Sequence, residues 1–197
     1  MNNIISKTTL FAKPGKSNTD QTLQLALEKS RELSISTVLV ASTTGSTAKK
    51  ALDILKDLDI VVITHAQGYL EPNLQEFSQE ARIYVESNGG KILTAQHSFG
   101  GVNRAIKNSL GSIQVDEIIA NVFRLFGQGM KVAVEMAMMA ADTGTVPCGQ
   151  PVITVSGTHR GADFGSVLIP ANSCRMFDLQ ILEIFCMPSP QHPSFHK

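Results

Sequence analysis

The sequence predicts an α/β fold: a three-layer arrangement with a mainly parallel sheet and helices on both faces. Three features of the 197 residues point there. Aliphatic and β-branched runs alternate with helical patterns of about 10 to 15 residues, the rhythm of strand–helix–strand units. The runs VLVA (38–41), IVVI (60–63) and VITV (152–155) are near-continuous aliphatic stretches, as for central parallel strands buried on both faces. The loops that follow the strands are rich in glycine, hydroxyl, asparagine or histidine residues, the composition of turns.

The first strand is expected in ISKTTLFAK (5–13). Pro14 and Gly15 then break the chain, and Asn18 with Gln21 three residues on reads as a variant capping box. The helix it opens turns Leu23, Ala26, Leu27 and Ser30 to one face. STVLVA (36–41) supplies the second strand, and Ala48, Ala51, Leu52 and Leu55 recur at the spacing of a helix behind it. DIVVIT (59–64) is the third strand. Pro72 suits the first turn of a third helix, with Phe77, Ala81, Tyr84 and Val85 inward and Asn88-Gly89-Gly90 at its end. KILTA (91–95) makes a short fourth strand, and a brief helix over 102–110 stops at Gly111. A longer helical run starts near Val115 and breaks or restarts at Gly127 and Gly129. Later strands are PVITVSG (151–157), SVLIP (166–170) and ILEIFCM (181–187). These elements imply one domain over residues 1–187. The segment 188–197, with three prolines and no periodicity, reads as a flexible tail.

Lysine plus arginine equal aspartate plus glutamate at 17 each, so no overall field draws the chain to nucleic acid or to an anionic membrane. Neither is expected as a partner, and an anionic ligand must be held locally. Cys148, Cys174 and Cys186 are odd in number and contain no CxxC pair, which speaks against a disulfide framework or structural zinc and fits a cytoplasmic protein. No apolar run approaches the ~20 residues of a membrane helix, and MNNIISKTTLF lacks the signature of a secretory leader.

If the strands are parallel, five loops open on one edge: KPGKSNT, STTGST, THAQG, QHSFGG and SGTHRGAD. Ligands of open α/β sheets lie at that edge. Turn chemistry explains any one of these loops; five together indicate a polar ligand site. STTGST is the sharpest, because glycine and hydroxyl residues directly before a helix offer free N–H groups and the positive end of the helix dipole, the equipment of a phosphate cradle. It is not a P-loop, since GxxxxGK[ST] is absent and Lys49 and Lys50 fall inside the helix. GQG (127–129) follows a helical run and lacks a third glycine, so it gives little support to a dinucleotide fingerprint. The helix after it is apolar nearly all round, as in a domain core or an interface between copies, yet Lys131, Glu135 and Asp142 share a narrow stripe. That stripe is either an internal Lys131–Glu135 pair or the lining of a pocket. In GTHRGAD, Arg160 is either a phosphate clamp or a solvated hairpin arginine. His65, His97 and His159 follow strands as polar ligand contacts; their spacing supports no metal site, and no GxSxG hydrolase motif is present.

TVLVASTTGSTAKKAL followed by IVVITHAQG resembles the C-terminal α/β domain of pyruvate kinase. Over nearly its whole length the chain is more similar to a small family of standalone prokaryotic proteins with that fold. The marks are KPGKSNT, VASTTGSTA, FGQGMKVAVE, MAADTG, GTHRGAD and EIFCMP. The resemblance implies the pyruvate kinase C-terminal domain-like fold and, for the standalone family, a site for flavin mononucleotide (FMN). It does not imply pyruvate kinase activity, whose catalytic residues belong to a barrel domain absent from this sequence.

Carried over by motif, Ser42, Thr43, Thr44, Gly45, Ser46 and Thr47 match the loop that holds a sugar phosphate effector in some pyruvate kinases, and would hold the FMN phosphate here. Lys13, Asn18 and Thr19 match the family's first loop and Thr64 and His65 its third. Gly127, Gly129, Lys131, Asp142, Arg160, Gly161 and Asp163 match its later loops. The expected protein binds FMN, with Lys131 or Arg160 beside the ring, and an oxidoreductase of unspecified substrate is the activity this implies. The alternative is a non-catalytic domain that senses another phosphorylated metabolite; a third reading makes His65 or His159 a general acid or base on a phosphorylated substrate. A homo-oligomer is compatible with either of the first two.

Overall fold

The computed structural model describes residues 3, 5–193 and 195. Seven strands form one sheet in the order β1-β7-β6-β5-β2-β3-β4. They are β1 (Thr9–Phe11), β2 (Thr37–Ala41), β3 (Asp59–Ile63), β4 (Lys91–Leu93), β5 (Val152–Ser156), β6 (Phe164–Ile169) and β7 (Gln180–Pro188). β1–β7, β5–β2, β2–β3 and β3–β4 pair in parallel; β6 alone runs against both of its neighbours. The helices are α1 (Thr19–Leu33), α2 (Ser46–Ile54), α3 (Gln79–Ser87), α4 (Val102–Leu110), α5 (Val115–Arg124) and α6 (Gln128–Asp142).

Alternation along the strands divides the core. In β2, Val38 and Val40 meet Leu23 and Ala26 of α1, Ala48 and Leu52 of α2, and Ala81 and Val85 of α3 in one buried cluster. Leu39 points the other way, into a second cluster with Ala120 of α5 and Met130, Ala133, Val134 and Ala137 of α6. The expected three-layer α/β fold is thus present. It also explains why α6 is apolar all round: twelve of its fifteen residues are buried. α4 differs, having no buried residue, and with α5 it leaves Val102, Leu110, Val115 and Ile118 exposed.

Four expectations need correction. β1 covers only Thr9–Phe11, because this edge strand pairs with β7 only at Cys186, Met187 and Pro188; just before it, the Thr8 hydroxyl donates to Ile184 O at 2.7 Å. Asn18 forms no capping box: its amide donates to Lys13 O at 2.7 Å, and a 3-10 turn over Lys16–Asn18 leads into α1. Pro72 opens no helix. α3 starts at Gln79, where the Ser78 hydroxyl accepts the Ala81 N–H at 3.1 Å, a local cap that outcompetes the upstream signal of Pro72. SVLIP (166–170) lies in a strand that starts earlier, at Phe164, and ends at Ile169; this β6 returns antiparallel to β5, so SGTHRGAD is a hairpin. Of the tail, Ser194, His196 and Lys197 lie outside the described residues. In the rest, Ser189 N–H donates to Phe11 O at 2.8 Å and Phe195 is buried, its ring beside Gly127.

Candidate functional site

Because β1, β2, β3, β4 and β5 share one direction, the loops that follow them do converge, around a cavity of about 480 Å³ at the C-terminal edge of the sheet. Its lining comes from all five loops and from α6. The volume lies within the range of about 300 to 1,000 Å³ usual for small-molecule sites.

The β2–α2 loop forms one wall. Ser42 extends the ladder through its N–H to Ile63 O (3.0 Å), while its buried hydroxyl accepts the Ala48 N–H at 3.2 Å. Gly45 has φ 100°, and this left-handed step lets the chain reverse into α2. A Cβ on Gly45 would stand 2.1 Å from Ala81 Cβ, so the glycine is required by close packing on α3 and does not itself line the cavity. Thr43, Thr44, Ser46 and Thr47 do. Among the described residues, the N–H groups of Thr43 through Thr47 have no protein acceptor, and the first turn of α2 contains no carboxylate. An exposed helix N-terminus of this kind concentrates positive potential.

The third and fourth loops continue the lining from the neighbouring strands β3 and β4. Thr64 is buried, its N–H donating to Leu93 O (3.0 Å) and its hydroxyl lying 2.7 Å from that of Thr94. His65 Nδ1 lies 2.7 Å from Glu76 Oε2, and its Nε2 lies 3.5 Å from the Thr43 hydroxyl. Tyr69 packs on both His65 and His97, with ring centroids 4.1 and 5.0 Å away. His97 Nε2 accepts the Ala66 N–H at 3.3 Å, so the proton of a neutral ring sits on Nδ1, which faces Glu135 Oε2 at 3.6 Å.

Along the floor, Lys131 Nζ is 2.5 Å from Glu135 Oε2, with the two side chains 11% and 5% exposed, and Glu135 Oε1 accepts the Phe99 N–H at 2.9 Å. Burial works to raise the Glu135 carboxyl, but His97 and Lys131 outweigh it and hold the group at about 2. Both readings of this stripe are therefore present together: an internal pair that also lines the pocket. Asp142 is separated from it. It ends α6 about 16 Å along the axis from Lys131, where its carboxylate accepts from Ser173 N–H at 2.9 Å and from the Asn172 amide.

The first and fifth loops are bolted together. Asp163, fully buried, accepts the Gly15 N–H at 2.6 Å on one oxygen and the Thr158 N–H at 3.0 Å on the other. Burial is the strongest influence on its carboxyl and leaves it above its ordinary value despite these donors. Thr19 Oγ1 accepts the Ala162 N–H at 3.0 Å, and a Cβ on Gly161 (φ 78°) would meet Thr19 Oγ1 and Lys16 Cα at 2.5 and 2.6 Å. Arg160 is exposed at the rim and, like Lys16, makes no ion pair among the described residues.

Of the residues singled out in the sequence, Ser42, Thr43, Thr44, Ser46, Thr47, Thr64, His65, Lys131, Arg160 and Gly161 line the cavity. Asn18, Thr19 and Asp163 brace its loops from behind, and Lys13 contributes only a carbonyl that accepts from Asn18. Gly127 (φ 96°) and Gly129 serve packing: their Cα atoms lie against the rings of Phe195 and Phe164. The structure adds Lys16, Tyr69, Glu76, Gln128 and Thr158, and an apolar stretch from Val132, Met136 and Met139. Among the described residues no group of three or more His, Cys, Asp or Glu is arranged for a metal, and no helix is long and apolar enough to cross a membrane.

The family described as pyruvate kinase, alpha/beta domain matches residues 20–168. One solved pyruvate kinase, from Cryptosporidium parvum, is similar at 14% identity and TM-score 0.40, over 76% of this chain and 22% of that one. The chain therefore spans about a fifth of the length of that enzyme. With well over half of its residues matched, the chain belongs to the pyruvate kinase alpha/beta domain family.

Proposed function

We propose that the protein binds a phosphorylated small molecule with its phosphate on the N-terminus of α2, and that this ligand is FMN. The observation that carries the reading is the run of N–H groups from Thr43 to Thr47 without protein acceptors among the described residues, beside the hydroxyls of Thr43, Thr44, Ser46 and Thr47, at the wall of the cavity. Anions are stabilised at such a terminus by the helix dipole and by charge-assisted hydrogen bonds of about 1.5–3 kcal/mol each. Lys16 and Arg160, which make no ion pair among the described residues, add cations from the neighbouring loops.

The remaining residues suit a flat, largely apolar ring. Val132, Met136 and Met139 supply an apolar wall on α6, and methionine adapts its shape to such surfaces. Bound flavin supplies hydride or single-electron transfer, which is the basis for reading the protein as an oxidoreductase of unspecified substrate. Of the two cations expected beside the ring, Lys131 is already neutralised by Glu135, so Arg160 is the one able to offset new negative charge. The same phosphate seat would accept a sugar phosphate, the sensing alternative.

The visible spectrum of the purified protein, followed by mass measurement of whatever heat releases, tests the proposal. Flavin absorbance, or a rise in melting temperature on adding FMN to colourless protein, is expected. Colourless protein that FMN does not stabilise would overturn the flavin reading, and stabilisation by a sugar phosphate alone would favour the sensor.

A further inference from the structure

We propose that His65 is the proton-carrying group of this site: it meets the ligand's phosphate as an imidazolium held by Glu76, so that binding a phosphate monoester takes up a proton. This rests on the reading of the α2 N-terminus as the phosphate seat. His65 Nδ1 lies 2.7 Å from Glu76 Oε2. A carboxylate only accepts, so Nδ1 carries a proton whether the ring is neutral or charged. The atom that gains or loses the second proton is therefore Nε2. It faces the seat, 3.5 Å from the hydroxyl of Thr43, in the same cavity wall as the unpaired N–H groups. In the neutral ring Nε2 presents a lone pair to the incoming anion and repels it. In the charged ring it donates.

The surroundings single out His65 among the histidines. His97, with its ring centroid 5.5 Å away, already has Nε2 engaged by the Ala66 N–H, while its Nδ1 faces Glu135. The Glu135 charge is balanced by Lys131 at 2.5 Å, so it is not available to His65. Tyr69 packs on the His65 ring, and the Arg104 guanidinium lies over the Tyr69 ring, 4.2 Å from its centroid. Lys16, His159 and Arg160 line the cavity from the first and fifth loops. Among the described residues Glu76 is the carboxylate in contact with His65, and a phosphate dianion at Thr43 would add a second anion on the opposite nitrogen. Two anions flanking one imidazole favour its charged form. The balance is simple: neutral His65, a dianionic ligand and one proton from solvent give imidazolium and bound dianion.

Isothermal titration calorimetry at about pH 8, repeated in phosphate-free buffers of different ionisation enthalpy, reads the proton directly. With FMN and, separately, phenyl phosphate as probes, the dependence of the binding heat on buffer ionisation enthalpy is expected to show uptake approaching one proton. In His65→Gln uptake should fall to near zero, and probe affinity should lose its rise towards lower pH. Glu76→Gln should bind the probe with reduced uptake. Wild-type binding without uptake, or full uptake retained in a folded His65→Gln, would overturn the inference while leaving the phosphate seat intact. Failure of both probes to bind would overturn the seat and the inference together.

Discussion

Replacing Glu135 with Gln removes one charge from a pair that water scarcely reaches, since the Lys131 and Glu135 side chains are 11% and 5% exposed. The amide keeps an oxygen for the Phe99 N–H, so the change acts mainly on charge. Leaving one member of a buried pair uncompensated costs about 3–5 kcal/mol. The depression of the carboxyl from 4.5 to about 2 gives a second measure, roughly 3 kcal/mol at 1.36 kcal/mol per pH unit. Because the folded carboxyl titrates below the unfolded one, this contribution is complete above about pH 4.5 and is lost as the pH falls through about 2. Glu135→Gln should therefore be destabilised by about 3 kcal/mol at pH 7, with the gap to wild type narrowing as the pH is lowered below about 4.5. The chain has no tryptophan, so urea unfolding is best followed by circular dichroism, at pH 7, 5 and 3. Exchanging both members, Lys131→Met with Glu135→Leu, should recover much of the loss. An unchanged midpoint at pH 7, or a gap equally wide at pH 3, would refute the electrostatic reasoning.

Leu52→Ala empties a position that is 8% exposed in the core under α1–α3 and should cost about 2–5 kcal/mol in chemical denaturation; a change below 1 kcal/mol would contradict the packing. Gly45→Val should lower the melting temperature as well as ligand affinity, because φ is 100° and the new Cβ meets Ala81 Cβ at 2.1 Å. Asp163→Ala strands the Gly15 and Thr158 N–H groups at about 1–3 kcal/mol each, and should accelerate amide exchange at both residues; protection retained there would contradict the bracing role.

Period and run length made most of the fold readable. The near-continuous aliphatic runs at 38–41, 60–63 and 152–155 fall within buried strands, and Gly111 and Gly127 mark helix boundaries through their positive φ. What was hidden depends on contacts distant in sequence. Whether β6 runs parallel or antiparallel is decided by its neighbours β5 and β7, and nothing in SVLIP encodes that. Pro72 and Ser78 both carry helix-start signals, and only the Ser78–Ala81 hydrogen bond decides between them.

The site was legible in the same uneven way. Convergence of the five loops follows from parallel topology, and the STTGST composition marks the β2–α2 loop. Asp142 misled because a shared helix stripe says nothing of distance along the axis. Glu76 lies in an irregular stretch without periodicity, so its approach to His65 left no trace in the sequence. Asp163 and Thr19 stand in loop motifs, yet the Gly15 and Ala162 N–H groups that they accept each come from the other loop.

The central claim is that a phosphate sits at the N-terminus of α2, and comparing the dissociation constants of FMN and riboflavin tests it most directly, because the two differ only by that phosphate. With two or more charge-assisted hydrogen bonds at about 1.5–3 kcal/mol each, FMN should bind at least about 100-fold more tightly. Equal affinity for the two would show that the N–H groups of Thr43–Thr47 hold no phosphate, and the account would fall.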